Sequence, residues 1–144
     1  MISAGPYESV VRDLASTAFA SIRYVEETVS TNADAADLLG DERFAGHTIV
    51  AEYQRRGAGR KERLWLAPAG TALLCTTILP RAVATEHLWI VPYWVALALR
   101  CALLDLGIAT MLQWPNDVLL GERKLAGPTA PASGLFLMRV TYEY

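Results

Sequence analysis

The sequence predicts an α+β domain: a mixed, mostly antiparallel sheet with helices packed on it. Short strand-like runs such as "HTIVAEYQ" and "TALLCTTIL" alternate with helical patterns, and no internal repeat, linker or second domain interrupts them. One long stretch, from about Glu86 to Leu106, carries apolar residues on two helical faces. The chain has 144 residues, 53% of them hydrophobic and 19% charged. Those values suit one globular domain with a real core and argue against disorder.

Each element has its own signal. Tyr7 to Ala18 reads as a short amphipathic helix with Val10, Val11, Leu14 and Ala18 on one side. "SIRYVEETVS" sets Ile22, Tyr24 and Glu26 against Arg23 and Val25, the alternation of a strand. Thr31 or Asn32 can cap the next helix, "NADAADLLG", which Gly40 ends. "HTIVAEYQ" is a strand entering a loop rich in arginine and glycine, and "TALLCTTIL" is a strand leaving it. Pro68 and Gly70 turn the chain between them. In the long helix Leu88, Val91, Val95, Ala98 and Ala102 form one apolar row, and Ile90, Trp94, Leu97, Cys101 and Leu104 a second. That helix is therefore expected to be central. The strands "TMLQW", "VLL" and "KLAG" follow, joined by the turns "PNDV" and "GER". Beyond the breaker cluster "PTAPASG", the run "LFLMRVTYEY" has strand composition.

Charge and composition exclude several classes. The formal net charge is −2, so an anion site has to be local, and a whole surface built for nucleic acid is not expected. Cys75 and Cys101 lie in apolar runs without a CxxC pair or a histidine cluster, the pattern of buried free thiols in a cytoplasmic protein. "MISAGPYESVVRDLAS" lacks the basic start and apolar core of a secretory signal. "HLWIVPYWVALALRCALLDLG" is apolar, but Pro92 interrupts it and Arg100 lies inside it. A charge at the centre of a membrane helix costs about 2.5–3.5 kcal/mol on insertion scales, so a buried soluble helix is expected instead.

Four motifs could carry chemistry. "QRRGAGRKERLW", Gln54 to Trp65, packs four arginines and a lysine into twelve residues. It lacks the Gly-Lys-Ser/Thr of a Walker loop, and Glu62 stands where a dinucleotide fingerprint needs its third glycine. The loop can surround a phosphate with charge-assisted hydrogen bonds, or it can be a solvated basic loop. "WPND", Trp114 to Asp117, suits a plain turn or a metal–phosphate site. "RKLAG" places Lys124 at the head of an apolar strand, either snorkelling or set beside a carboxylate or phosphate. "STN", Ser30 to Asn32, is at least an N-cap signal.

The order of these motifs is more telling than any one of them. "STN", "TIVAEYQ" running into an arginine- and glycine-rich loop that ends in tryptophan, "WPND" and "KLAG" resemble the ordered signature of biotin protein ligases, from about Ser21 to Gly127. The resemblance implies the biotin/lipoate ligase-like catalytic fold. It also implies a two-step reaction, in which biotin and ATP give biotinyl-5′-AMP and a lysine of the biotin carboxyl carrier protein then takes the biotinyl group. ATP with Mg2+ is the implied co-substrate, and no prosthetic group is implied. Carried over by motif, Ser30, Thr31, Asn32, Gln54, Gly57 and Lys124 would bind biotin. Gly59, Arg60, Arg63, Trp65, Asn116 and Asp117 would bind nucleotide or adenylate. Lys124 and Arg60 would carry the catalysis, and Asp117 is a possible Mg2+ ligand.

The departures from the family pattern are specific. Arg55 and Arg56 replace Thr-Ala, Ala58 replaces an arginine, Glu62 a glycine, and Gln113 the lysine before Trp-Pro-Asn-Asp. Weaker ATP or adenylate affinity is expected from them. After Gly127 the sequence stops resembling the family, so a single partial catalytic domain over residues 1–144 is expected, with an atypical tail over 128–144. Neither a DNA-binding domain before it nor an SH3-like domain after it is expected. The competing readings are a lipoate ligase or octanoyl transferase of the same fold, and an inactive binding or dimerising module, with a homodimer possible in either case. A nucleic-acid-binding loop is the remote alternative.

Overall fold

The computed structural model describes residues 3–58, 64–79, 84–114, 116–126 and 135–141. Nine strands and three α-helices lie among them. They are α1 (Glu8–Asp13), β1 (Ile22–Thr28), α2 (Thr31–Ala36), β2 (Thr48–Gln54), β3 (Gly57–Ala58), β4 (Leu64–Trp65), β5 (Ala72–Ile78), α3 (Val91–Asp105), β6 (Met111–Gln113), β7 (Asp117–Leu120), β8 (Arg123–Ala126) and β9 (Leu135–Thr141). The main sheet has the order β1-β2-β5-β9. β1 and β2 run parallel, which requires a crossover, and α2 supplies it. The β2–β5 and β5–β9 pairs are antiparallel. A second sheet, β6-β7-β8, is antiparallel throughout, and the β3–β4 ribbon flanks the basic loop. The α+β class and the mixed sheet are as the sequence predicts.

Strand alternation divides the core. Ile22, Val50 and Cys75 face α1, where Tyr7, Val11 and Leu14 cover them. Ile49, one residue from Val50, faces the other way and packs with Ala35 of α2, Ile78, Leu38 and Phe44. A third cluster, Ala96, Leu103 and Val118 with Leu99 and Leu125, lies under α3. Leu73 touches both the α1 and the α3 clusters, so these helices share one side of the main sheet and α2 holds the other.

Several expected boundaries move, for identifiable reasons. The first helix ends at Asp13, well short of Ala18, which is exposed. Thr17 Oγ1 donates to Leu14 O at 2.8 Å and accepts from Phe19 N at 3.1 Å, so a threonine turn replaces the last helical turn. The next helix ends at Ala36, before Gly40. Gly46 carries a constraint composition does not reveal: its φ is +79°, and a Cβ there would lie 1.7 Å from Ala18 O.

The long helix is not central. A 3₁₀ turn covers Thr85–Ile90, and Pro92 then sits in the first turn of α3, where its missing N–H costs nothing. At the other end Ile108 N bonds to Leu103 O and Gly107 N to Leu104 O, with Gly107 at φ +79°, the Schellman pattern. Val91, Ala96 and Leu103 are buried, but Trp94, Leu97 and Leu104 are 54, 44 and 51% exposed. The packed face runs through Ala96, Leu99 and Leu103, which belong to neither predicted row, and Ala98 and Ala102 of the first row are exposed as well. Cys101 belongs to the outward row and is exposed, against expectation, whereas Cys75 is buried as expected. Among the described residues no helix is long and apolar enough to cross a membrane.

Candidate functional site

Two constellations carry the predicted site residues. The first joins α2, β2 and β5. Ser30 occupies the N-cap position of α2 in extended conformation, without a side-chain cap bond. The expected cap from Thr31 or Asn32 is therefore absent. The free donor at Thr31 is satisfied from another strand instead: its backbone N–H donates to Gln54 Oε1 at 2.7 Å. The Thr31 hydroxyl lies 3.0 Å from the same oxygen and 2.8 Å from Thr76 Oγ1. Thr76 Oγ1 in turn lies 3.0 Å from Asn32 Oδ1. Thr31 and Thr76 are wholly buried, and Ser30 and Gln54 nearly so. Thr28 Oγ1 donates to Asp34 Oδ2 at 2.7 Å and ties the end of β1 to α2. Thr31 and Asn32 thus meet Gln54 and Thr76, distant in sequence, around one buried polar core, and Ser30 is buried next to Thr31. Gly57 is buried on β3 just beyond, in register with Trp65 of β4.

Thr76 escapes a sequence reading. "TALLCTTIL" shows two adjacent threonines, and threonine is an ordinary strand residue. Only the three-dimensional pairing separates Thr76, which enters the polar core, from Thr77, which pairs with Thr48 Oγ1 at 2.9 Å.

The second constellation is the β7–β8 hairpin. Lys124 Nζ lies 2.7 Å from Asp117 Oδ1, and their side chains are 55 and 26% exposed. Leu125 packs into the cluster under α3, so by alternation Lys124 points away from that helix. The ladder shifts register between Val118 and Leu119, a bulge that re-aims the strand between the two charges. Of the two arrangements the sequence leaves open for Lys124, the ligand-free chain has the ammonium beside a carboxylate of its own hairpin. Before the hairpin Trp114 is exposed, its ring 5.5 Å from that of Tyr93, and a shallow depression there includes Gln113 and Asn116. β9 links the constellations, since α2 and β8 both pack against it.

Gly59, Arg60, Lys61, Glu62, Arg63 and the tail residues 127–134 and 142–144 lie outside the described residues. The family-atypical Arg55 is described. It pairs with Glu27 at 3.1 Å, both side chains more than half exposed, so its charge is turned onto β1. Backbone bonds from Arg55 N to Thr28 O and from Arg56 N to Val29 O extend the parallel pairing to the start of the loop.

A parallel β1–β2 unit crossed by a short helix, with a buried polar core and a lysine–carboxylate hairpin beyond it, defines an α+β domain. Residues 24–130 match the model of the Biotin/lipoate A/B protein ligase family, and the chain belongs to that family. It is 40% identical over 113 residues to the biotin–[acetyl-CoA-carboxylase] ligase of Paracoccus denitrificans, covering 74% of this chain and 45% of that protein. It is 33% identical over 124 residues to the enzyme of the same name from Mycobacterium tuberculosis, covering 79% and 45%. The chain thus spans about half the length of these relatives. Among solved structures it resembles the biotin protein ligase from Aquifex aeolicus in complex with biotin and ATP. That match has 26% identity and a TM-score of 0.70, and covers 86% of this chain and 54% of that one. The Leishmania major biotin protein ligase in complex with biotinyl-5-AMP shares the fold at 23% identity and a TM-score of 0.70, covering 84% and 56%.

Proposed function

We propose that this chain binds biotin and ATP and forms biotinyl-5′-AMP, from which a lysine of a biotin carboxyl carrier protein takes the biotinyl group. In the first step a carboxylate oxygen of biotin attacks the α-phosphorus and pyrophosphate leaves. In the second the lysine amine attacks the acyl carbon, AMP leaves and the amine loses a proton. Family membership and the names of the relatives support the reaction class.

The observation that carries the choice of acid is the polar core of Thr31, Asn32, Gln54 and Thr76. Biotin has a cyclic urea with two N–H donors and a carbonyl acceptor. The dithiolane of lipoate has neither. A site built to hydrogen-bond a substrate rejects an analogue without those groups, because its own buried polar groups are then left unpaired.

Lys124 supplies the cation for the chemistry. On this reading it passes from Asp117 to the biotin carboxylate and the α-phosphate, which otherwise repel each other. Arg60 and Arg63 would clamp the phosphates, Gly57 and Gly59 would let the backbone approach, and Trp65 and Asn116 would hold the nucleotide side. The described residues hold no group of three His, Cys, Asp or Glu that could bind a metal by themselves. A Mg2+ would come in as the counter-ion of ATP, and Asp117, freed as Lys124 moves, would be the carboxylate to hold it beside the phosphates. The reading places the chain in the cytoplasm, where ATP and the carrier domain meet, and leaves monomer or homodimer to sedimentation.

Exchange of labelled pyrophosphate into ATP tests the proposal, with biotin, lipoate or no acid added to the folded chain. Biotin-dependent exchange is expected. Exchange with lipoate alone, or none with either acid, would overturn it.

A further inference from the structure

The polar core has a proton deficit. Three oxygen–oxygen contacts of 3.0 Å or less run in series, Gln54 Oε1 to Thr31 Oγ1, Thr31 Oγ1 to Thr76 Oγ1, and Thr76 Oγ1 to Asn32 Oδ1. Each contact needs one hydrogen, and the two hydroxyls between them carry two. Thr31 and Thr76 are fully buried, so solvent does not reach them to supply the third. Gln54 cannot supply it by turning its amide, because its oxygen already accepts the Thr31 backbone N–H at 2.7 Å. Asn32 can. Among the described residues no hydrogen bond fixes its amide nitrogen, and rotating the amide end for end puts that nitrogen where Oδ1 faces Thr76.

We infer that the core is a one-way relay, Asn32 Nδ2–H to Thr76 Oγ1, Thr76 O–H to Thr31 Oγ1 and Thr31 O–H to Gln54 Oε1, its direction set where the Thr31 N–H fixes Gln54 Oε1 and passed on to Asn32 by Thr76. Every contact then holds one hydrogen. The direction fixes what remains for a ligand: Asn32 Oδ1 as acceptor and Gln54 Nε2–H as donor. A ring that offers an N–H and a carbonyl side by side, as a cyclic urea does, matches that pair. This step rests on the biotin reading for its ligand, but not for the relay itself. Thr76 is a positioning residue, since it reaches the ligand only through Asn32 and Thr31.

Two measurements test it. In the ligand-free chain, NMR of the Asn32 side-chain amide is expected to show one proton protected from exchange and close in space to Thr76. Protection should vanish in Thr76→Val and survive in Thr76→Ser. An Asn32 amide that exchanges as freely as a surface amide would overturn the relay, whatever the chain binds. Calorimetric titration with biotin then addresses the pocket. Roughly 30-fold or weaker binding is expected for Thr76→Val, with near wild-type binding for Thr76→Ser and an unchanged melting temperature for the latter. Equal biotin affinity in Thr76→Val and wild type would overturn the positioning role. If the wild type binds no biotin while the Asn32 proton is protected, the biotin reading fails and the relay stands.

Discussion

The polar core and the Lys124–Asp117 hairpin make opposite use of polar groups. In the core, Thr31 and Thr76 are wholly buried and every contact is between neutral groups at fixed distance. In the hairpin two full charges meet at 2.7 Å, but the lysine is 55% exposed. Buried neutral bonds are costly to break and specify geometry, because a partner left alone in a low dielectric has no water to turn to. An exposed ion pair contributes little to stability, typically 0–1 kcal/mol or so, and so exchanges partners cheaply. Recognition belongs to the first arrangement. A cation that has to move onto a changing substrate belongs to the second.

Gln54→Leu should break the contrast most. It removes the acceptor shared by the Thr31 N–H and hydroxyl and strands the N–H in the interior, while the hydroxyl keeps Thr76 Oγ1 at 2.8 Å. A loss of about 1–3 kcal/mol per unpaired group is expected in denaturant unfolding, with biotin binding falling below detection by calorimetry. Unchanged stability would remove the core from the argument. Lys124→Ala should do the reverse. Pyrophosphate exchange should drop by about two to three orders of magnitude, the scale on which lost transition-state charge stabilisation is felt. The unfolding midpoint should barely move. Loss of both stability and biotin binding in that variant would show the two regions to be one.

How far the sequence reveals this depends on the range of the interaction. The strands from "HTIVAEYQ" and "TALLCTTIL" form as read, because alternation and β-branching are local properties. "STN" and Gln54 also come together as the motif order implied. Thr76 was invisible, because nothing local separates it from Thr77. The α3 error has a related cause. A helix apolar on nearly every side does not show which face the sheet takes, and here Ala96, Leu99 and Leu103, outside both predicted rows, are packed while Trp94, Leu97, Ala98 and Ala102 are exposed. The first helix ended early because the Thr17 side chain competes for a backbone carbonyl, a contest periodicity does not record.

Asp117→Asn sharpens the contrast at smaller amplitude. It keeps the turn and the side-chain volume, but frees Lys124 from its carboxylate. Stability should change by less than about 1 kcal/mol. The KM for ATP should respond more than the biotin affinity, because the change acts on the phosphate side. A biotin affinity that falls with it would place Asp117 in recognition instead.

The smallest effect is expected beyond the opposite end of β2, where a second buried polar pair is incompletely satisfied. His47 is buried, its Nδ1 lies 2.7 Å from Ser21 Oγ, and its Nε2 has no hydrogen-bond partner among the described residues. Burial, reinforced by the nearby Arg23 guanidinium, holds its pKa below the ordinary histidine value. The unfolded chain therefore takes up a proton first as the pH falls. Stability owed to neutral His47 is complete above about pH 6.5 and declines below it, toward the lowered pKa of the folded state. Melting curves between pH 7.5 and 5 (conditions set by that window, about one to two units around it) should show the wild type losing a few degrees more than His47→Gln. If a proton NMR titration shows His47 protonating at the ordinary histidine value, its ring is not held neutral by the fold, and a poorly satisfied buried pair would be as tolerant of charge as the exposed hairpin.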